Sequence, residues 1–167
     1  MSVLSFWRRK PHPPASGRRL LVPFTGGELD PVVLDAAIRI ARAEEATLVP
    51  AYLIVTPLEF GLDAPMQKQV ELAVPLLEAV EHAALRAGLP VDARVEAGRT
   101  SIHALQRLWE VERFDRILVP APVGRDGGFT PKELQWILVH APSETIILRP
   151  DPTLSEGLRL ARTLDAA

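Results

Sequence analysis

The sequence predicts an open α/β domain, a parallel sheet covered by helices on both faces with one further helix at its C-terminal end. Three observations predict it. Short apolar runs alternate with segments whose apolar residues fall at helical spacing, giving the order βαβαβαβαβ. The first run, Leu20–Leu21–Val22–Pro23–Phe24, breaks at Thr25–Gly26–Gly27 and is followed by Asp30–Pro31, so a strand turns sharply into a capped helix. A chain of 167 residues with 47% hydrophobic and 24% charged content suits a single buried core. Alternation at this spacing requires parallel strands joined by right-handed crossovers, and ligands in such sheets sit beyond the carboxyl ends of the strands. That places Thr25–Gly26–Gly27 beside the loop that follows Val119.

Each element has its own justification. Arg19–Phe24 is a short buried strand. Asp30 caps the first helix with Pro31 at its first position, and Val33, Ala37, Ile40 and Ala41 mark its inner face. Thr47–Val55, which contains Tyr52, is the second strand. After a loop from Pro57 to Pro65, a long helix is expected over 66–87, with Val70, Val74, Leu77 and Leu85 inward and Gly88 at its end. Pro75 falls inside it and predicts a kink or an earlier break. Val91–Glu96 alternates as a half-buried strand does. Thr100 or Ser101 caps the next helix, whose inner face holds Ile102, Leu105, Leu108 and Trp109. Arg116–Val119 is a buried strand, Pro120–Thr130 a glycine-rich loop, and Pro131–His140 a short helix. Glu144–Leu148 is the last strand. Beyond Pro150, Leu154, Leu158, Ala161 and Leu164 form an apolar stripe that should dock on the body or on a partner.

Composition excludes several function classes. The absence of cysteine removes disulfides, thiolate catalysis and thiolate-bound metals. His12, His82, His103 and His140 are too scattered for a metal site. There is no Gly-x-Ser-x-Gly turn, and Glu44–Glu45 and Glu78/Glu81 read as solvated helix faces. Residues 1–18 read as a basic, proline-punctuated leader; its apolar part is too short for a secretory signal, and a membrane role is not expected. Residues 1–19 hold five basic side chains and no acid. The rest carries fourteen basic against twenty-one acidic residues, which disfavours nucleic acid as a partner. Residues 19–150 form the main domain, and 151–167 a helical extension.

Leu20–Gly27, Val95–Glu96–Ala97–Gly98, Asp115–Pro120, His140–Ala141–Pro142 and Thr145–Pro150, in this order and spacing, resemble the universal stress protein family over residues 19–150. The resemblance implies a Rossmann-like sheet of five parallel strands in the order 3-2-1-4-5, as in adenine nucleotide alpha hydrolase-like folds. It also implies a cytoplasmic stress-response role without catalysis, and a homodimer through the last strand, Thr145, Ile146, Ile147 and Leu148. That apolar edge needs covering in any case. An unidentified protein partner is the expected mode of action.

The family divides into members that bind ATP and members that do not. In binders an aspartate ends the first strand and contacts adenine; here Thr25 stands there and has no carboxylate. Binders carry Gly-x2-Gly-x9-Gly-[Ser/Thr] after the fourth strand. This chain has Ala121–Pro122–Val123–Gly124, a shortened loop, and Thr130–Pro131–Lys132 where the last pair belongs. The expectation is weakened or lost ATP binding. The alternative is a rebuilt anion cradle in Gly124–Lys132, with Arg125 and Lys132 as cations among Gly124, Gly127, Gly128 and Thr130. Any adenine nucleotide would then use these residues together with Thr25, Gly26, Gly27 and main-chain groups near Val55. The plainer account has the glycines shaping a surface loop with its cations solvated. A more distant alternative is an adenylating enzyme, since Thr25–Gly26–Gly27–Glu28–Leu29–Asp30 partly matches a pyrophosphatase loop; Asp30 comes one residue late and Pro31 replaces its serine.

Overall fold

The computed structural model describes residues 17–64, 66–122 and 128–165. In chain order the elements are β1 (Arg18–Phe24), α1 (Pro31–Ala43), β2 (Ala46–Val55), α2 (Gln67–Arg86), β3 (Arg94–Gly98), α3 (Ser101–Val111), β4 (Arg116–Pro120), α4 (Pro131–His140), β5 (Glu144–Leu148) and α5 (Pro152–Asp165). The five strands pair in parallel in the order β3-β2-β1-β4-β5. Strand order therefore reverses between β1 and β4, and the carboxyl ends of these two strands flank the crevice that the topology creates.

Burial alternates along the strands and splits the core in two. Leu20, Val22 and Phe24 face α1 and α2, packing with Val33, Ala37, Val70, Leu77 and Val80. Leu21, with Val49, Leu53, Ile117 and Val119, faces α3 and α4, packing with Leu105, Leu108, Phe129 and Ile137. Period-two alternation on a sheet with both faces covered is what makes β1 read as a continuous apolar run.

Three expectations need correction. Pro75 does not break α2, which runs unbroken from Gln67 to Arg86; Pro75 is exposed, so the carbonyl it leaves unpaired can turn to water. Leu85 is also exposed, because the buried stripe of α2 is Val70, Ala73, Leu77, Val80 and Ala84, with Val74 only half-buried. β3 begins at Arg94, with a single bridge at Val91, and all five of its residues are buried instead of alternating. Its charged side chains are paired: Arg94 with Asp92 and Glu112, Glu96 with Arg107. Of the two surfaces expected for the stripe Leu154, Leu158, Ala161 and Leu164, the body of the chain does not cover it: all four side chains are exposed. Ser155 is the one buried residue of α5.

Two local contacts set the sheet's carboxyl edge. Gly98 ends β3 where a Cβ would lie 2.3 Å from the Ala104 nitrogen, so the strand meets α3 at a distance only glycine permits. Thr100 caps α3 by accepting from the His103 amide at 3.0 Å. Ile102 and Trp109 lie partly buried against the second core, and Trp109 stacks on Trp136, which stacks in turn on His140.

Candidate functional site

A cleft of about 720 Å³ opens at the carboxyl ends of β1 and β4. One wall is the loop Thr25–Asp30, another is Pro120–Pro122 with Gly128, and the third is the start of α5, including Ser155, Glu156 and Arg159. The sequence builds the first wall simply. β1 is apolar up to Phe24; Gly26 then takes φ of 76°, a left-handed turn, and the chain swings into α1. Asp30 caps that helix, its Oδ1 accepting from the Val32 amide at 2.8 Å. The second wall is tied to the first, since the Gly128 amide donates to the Thr25 carbonyl at 3.1 Å.

Polar groups that face a ligand in such a crevice are largely committed elsewhere. The Thr25 hydroxyl donates to the Leu53 carbonyl at 3.0 Å, using a main-chain acceptor of β2. Tyr52 lies opposite Phe24 in register and meets it edge to face at 5.3 Å. Burial pushes the Tyr52 hydroxyl above its usual range, and the Gly26 backbone beside it draws it only partly back. The charged residues described around the cleft are Glu28, Asp30, Glu156 and Arg159. Arg159 is engaged, with Nε 3.1 Å from Glu28 Oε1 and Nη2 3.4 Å from Asp30 Oδ2.

Of the residues singled out from the sequence, Thr25, Gly26, Gly27 and Gly128 line this cleft. Thr130 instead closes a capping box on α4, its hydroxyl accepting from the Glu133 amide while Glu133 accepts from the Thr130 amide at 2.7 Å. Lys132 is exposed in the first turn of that helix and Val55 is exposed at the end of β2; neither lines the cleft. Gly124, Arg125 and Gly127 lie outside the described residues. The sequence reading missed Ser155 and Arg159, although their spacing of four puts them on one side of α5. The leucines of that helix were the louder pattern.

A second hollow, of about 440 Å³, lies between β3 and α3 near the other end of the sheet. Its charges are internally matched: Arg94 donates to Asp92 and Glu112, and Arg19 to the same two carboxylates. It reads as a structural ion network. Among the described residues no cluster of three or more His, Asp or Glu side chains is arranged for a metal, and no helix is long and apolar enough to cross a membrane.

Neither a family model nor a curated protein matches the sequence. Solved structures do match the fold. A universal stress protein family member from Burkholderia pseudomallei superposes with a TM-score of 0.59 at 20% identity, covering 81% of this chain and 98% of that one. The fold is that of the universal stress proteins. The universal stress protein from Archaeoglobus fulgidus in complex with dAMP matches at 0.58 and 12% identity, over 78% and 96% of the two chains. A universal stress protein family protein from Arabidopsis thaliana with AMP bound matches at 0.55 and 10%, over 81% and 94%. These universal stress proteins are thus matched almost end to end, while about a fifth of this chain falls outside the match.

Proposed function

We propose that this chain is a non-catalytic domain of the universal stress protein type, acting as a homodimer on a protein partner in the cytoplasm, with the ATP grip of its cleft weakened or lost. The observation that carries the reading is the chemistry of the cleft wall. Thr25 stands where the first strand ends and turns its hydroxyl to Leu53, and among the described residues the nearby charges are three carboxylates against one already paired arginine. A polyphosphate entering here meets net negative charge from those described residues. Each missing or misdirected hydrogen-bonding group costs on the order of 1–3 kcal/mol, and each 1.4 kcal/mol is about tenfold in affinity. Two such losses move a micromolar site towards millimolar. The dimer reading is supported by β5, which among the described residues pairs only with β4 and leaves an apolar, half-buried edge.

Calorimetric titration with Mg-ATP tests the reading. No saturable heat below millimolar ligand is expected. Pyrophosphate release would replace it with the adenylating alternative.

A second reading, an adenine-nucleotide binder with altered contacts, is favoured by one observation. The cleft lies at the β1/β4 reversal, and its volume falls within the range of about 300–1,000 Å³ usual for small-molecule sites. Two of the structures with this fold hold AMP or dAMP. Saturable micromolar binding of AMP would establish that reading in place of the first.

A further inference from the structure

Helix α5 touches the body of the domain in an unusual way. Its fourteen residues bury a single side chain, Ser155, which is 3% exposed, and that residue is polar. The Ser155 hydroxyl donates to Asp30 Oδ1 at 3.0 Å, and one turn later Arg159 reaches Glu28 and Asp30. Both acceptors belong to the loop between β1 and α1, which is the wall of the cleft. Meanwhile Leu154, Leu160 and Leu164 remain exposed and Leu158 is partly so. A helix held to a domain for stability alone would turn those leucines inward. This one presents a serine and an arginine to two carboxylates instead.

We infer that α5 is a displaceable plug at the side of the cleft, narrowing it through Ser155 and Arg159 and widening the way in when it leaves its seat. The inference rests on the reading above that the cleft is the domain's site, and it names a control on that site. Three features fit a plug. The seat is polar, so leaving it exposes little apolar surface to water. Arg159 lines the cleft with its charge already spent on Glu28 and Asp30, so an incoming anion must take it from them. Asp30 serves both the plug and the cap of α1, through Oδ1 to Val32 and Oδ1 and Oδ2 to α5, so release of α5 leaves α1 capped.

The absence of cysteine makes the test direct. Ala121 lines the cleft and is 8% exposed, so Ala121→Cys in the full chain puts a lone thiol on its floor. Its reaction with an aromatic disulfide reagent is timed in that background, with Arg159→Glu added, and with Arg159→Glu and Glu28→Arg together. The plug predicts that Arg159→Glu, which sets like charges against Glu28 and Asp30, speeds labelling by at least about threefold. It also predicts that the reciprocal Glu28→Arg brings the rate back down. Should Ala121→Cys fail to fold, Gly27→Cys carries the same probe, because a Cβ there meets no atom within 4 Å. Equal labelling rates in all three proteins overturn the plug whatever the cleft binds. AMP titration of the same proteins tests the separate matter of nucleotide grip: micromolar heat contradicts the lost-grip reading whatever the thiol rates show.

Discussion

Replacing Glu112 with glutamine should destabilise the fold by roughly 2–4 kcal/mol, and the structure shows why. Glu112 Oε1 accepts from Arg94 Nε at 2.9 Å and Oε2 from Arg19 Nη2 at 2.8 Å. Asp92 binds the same two guanidiniums, and no side chain of the four is more than 14% exposed. Two buried positive charges are balanced by two negative ones. An amide cannot accept at both ends, so one arginine faces an N–H donor and the cluster carries an uncompensated charge. Breaking a buried pair costs about 3–5 kcal/mol, lowered here because Asp92 remains. At about 2–4 °C per kcal/mol for a chain of this size, the midpoint should fall by roughly 5–15 °C in thermal unfolding followed by circular dichroism at pH 7. The pH dependence supplies a second arm. Burial pushes the Glu112 carboxyl up, but the hydrogen bonds and charges of Arg94 and Arg19 outweigh burial and hold it below the usual range. A carboxyl lowered on folding stabilises above its unfolded pKa of about 4.3, and that contribution is lost as pH falls through the folded value. The gap between wild type and Glu112→Gln should therefore narrow as pH drops below about 4. A midpoint within 2 °C of wild type at pH 7, or a gap that does not change with acid, refutes the reasoning.

Other outcomes follow from the same structure. Gly98→Ala should cost about 1–3 kcal/mol by overpacking, since its Cβ would meet the Ala104 backbone, and urea unfolding would show the shift. Tyr52 is the only tyrosine, so absorbance near 295 nm titrates it alone; its midpoint should lie above 10 because burial raises it. A hydroxyl raised on folding stabilises below its unfolded pKa, so stability should decline as pH rises through the folded value. Sedimentation equilibrium should show a dimer at high micromolar concentration, and a strictly monomeric profile would remove the proposed β5 interface.

Most of the fold was legible because the sheet is buried on both faces. β1, β4 and β5 announce themselves as apolar runs, and Asp30–Pro31 marks a helix start by capping chemistry that acts within a few residues. β3 was read less well, since Arg94 and Glu96 look like solvent-facing positions until Glu112 and Arg107 are brought to them by the fold. That pairing is tertiary and leaves no local pattern. The site divides along the same line. Thr25–Gly26–Gly27 is a sequence-local turn and was found. Ser155 and Arg159 meet Asp30 across more than 120 residues of chain, and only the three-dimensional arrangement reveals the contact.

The two ends of the sheet use charge in opposite ways, and magnitude separates them. At the amino end Arg94 is 4% exposed and each guanidinium has two carboxylates, so opening that network leaves buried charge behind. At the carboxyl end Arg159 is 52% exposed and Glu28 62%. Pairs that wet are worth on the order of 0.5 kcal/mol each, and the Ser155 hydrogen bond adds about 1 kcal/mol more. A seat of about 2 kcal/mol leaves α5 open roughly one part in thirty, within the range of minor states that ligands readily select. Were the α5 contact as strong as the Arg94 network, at about 3–5 kcal/mol, displacing it would cost a ligand roughly 10²–10⁴ in apparent affinity. Its weakness is therefore what allows the same helix both to narrow the cleft and to yield.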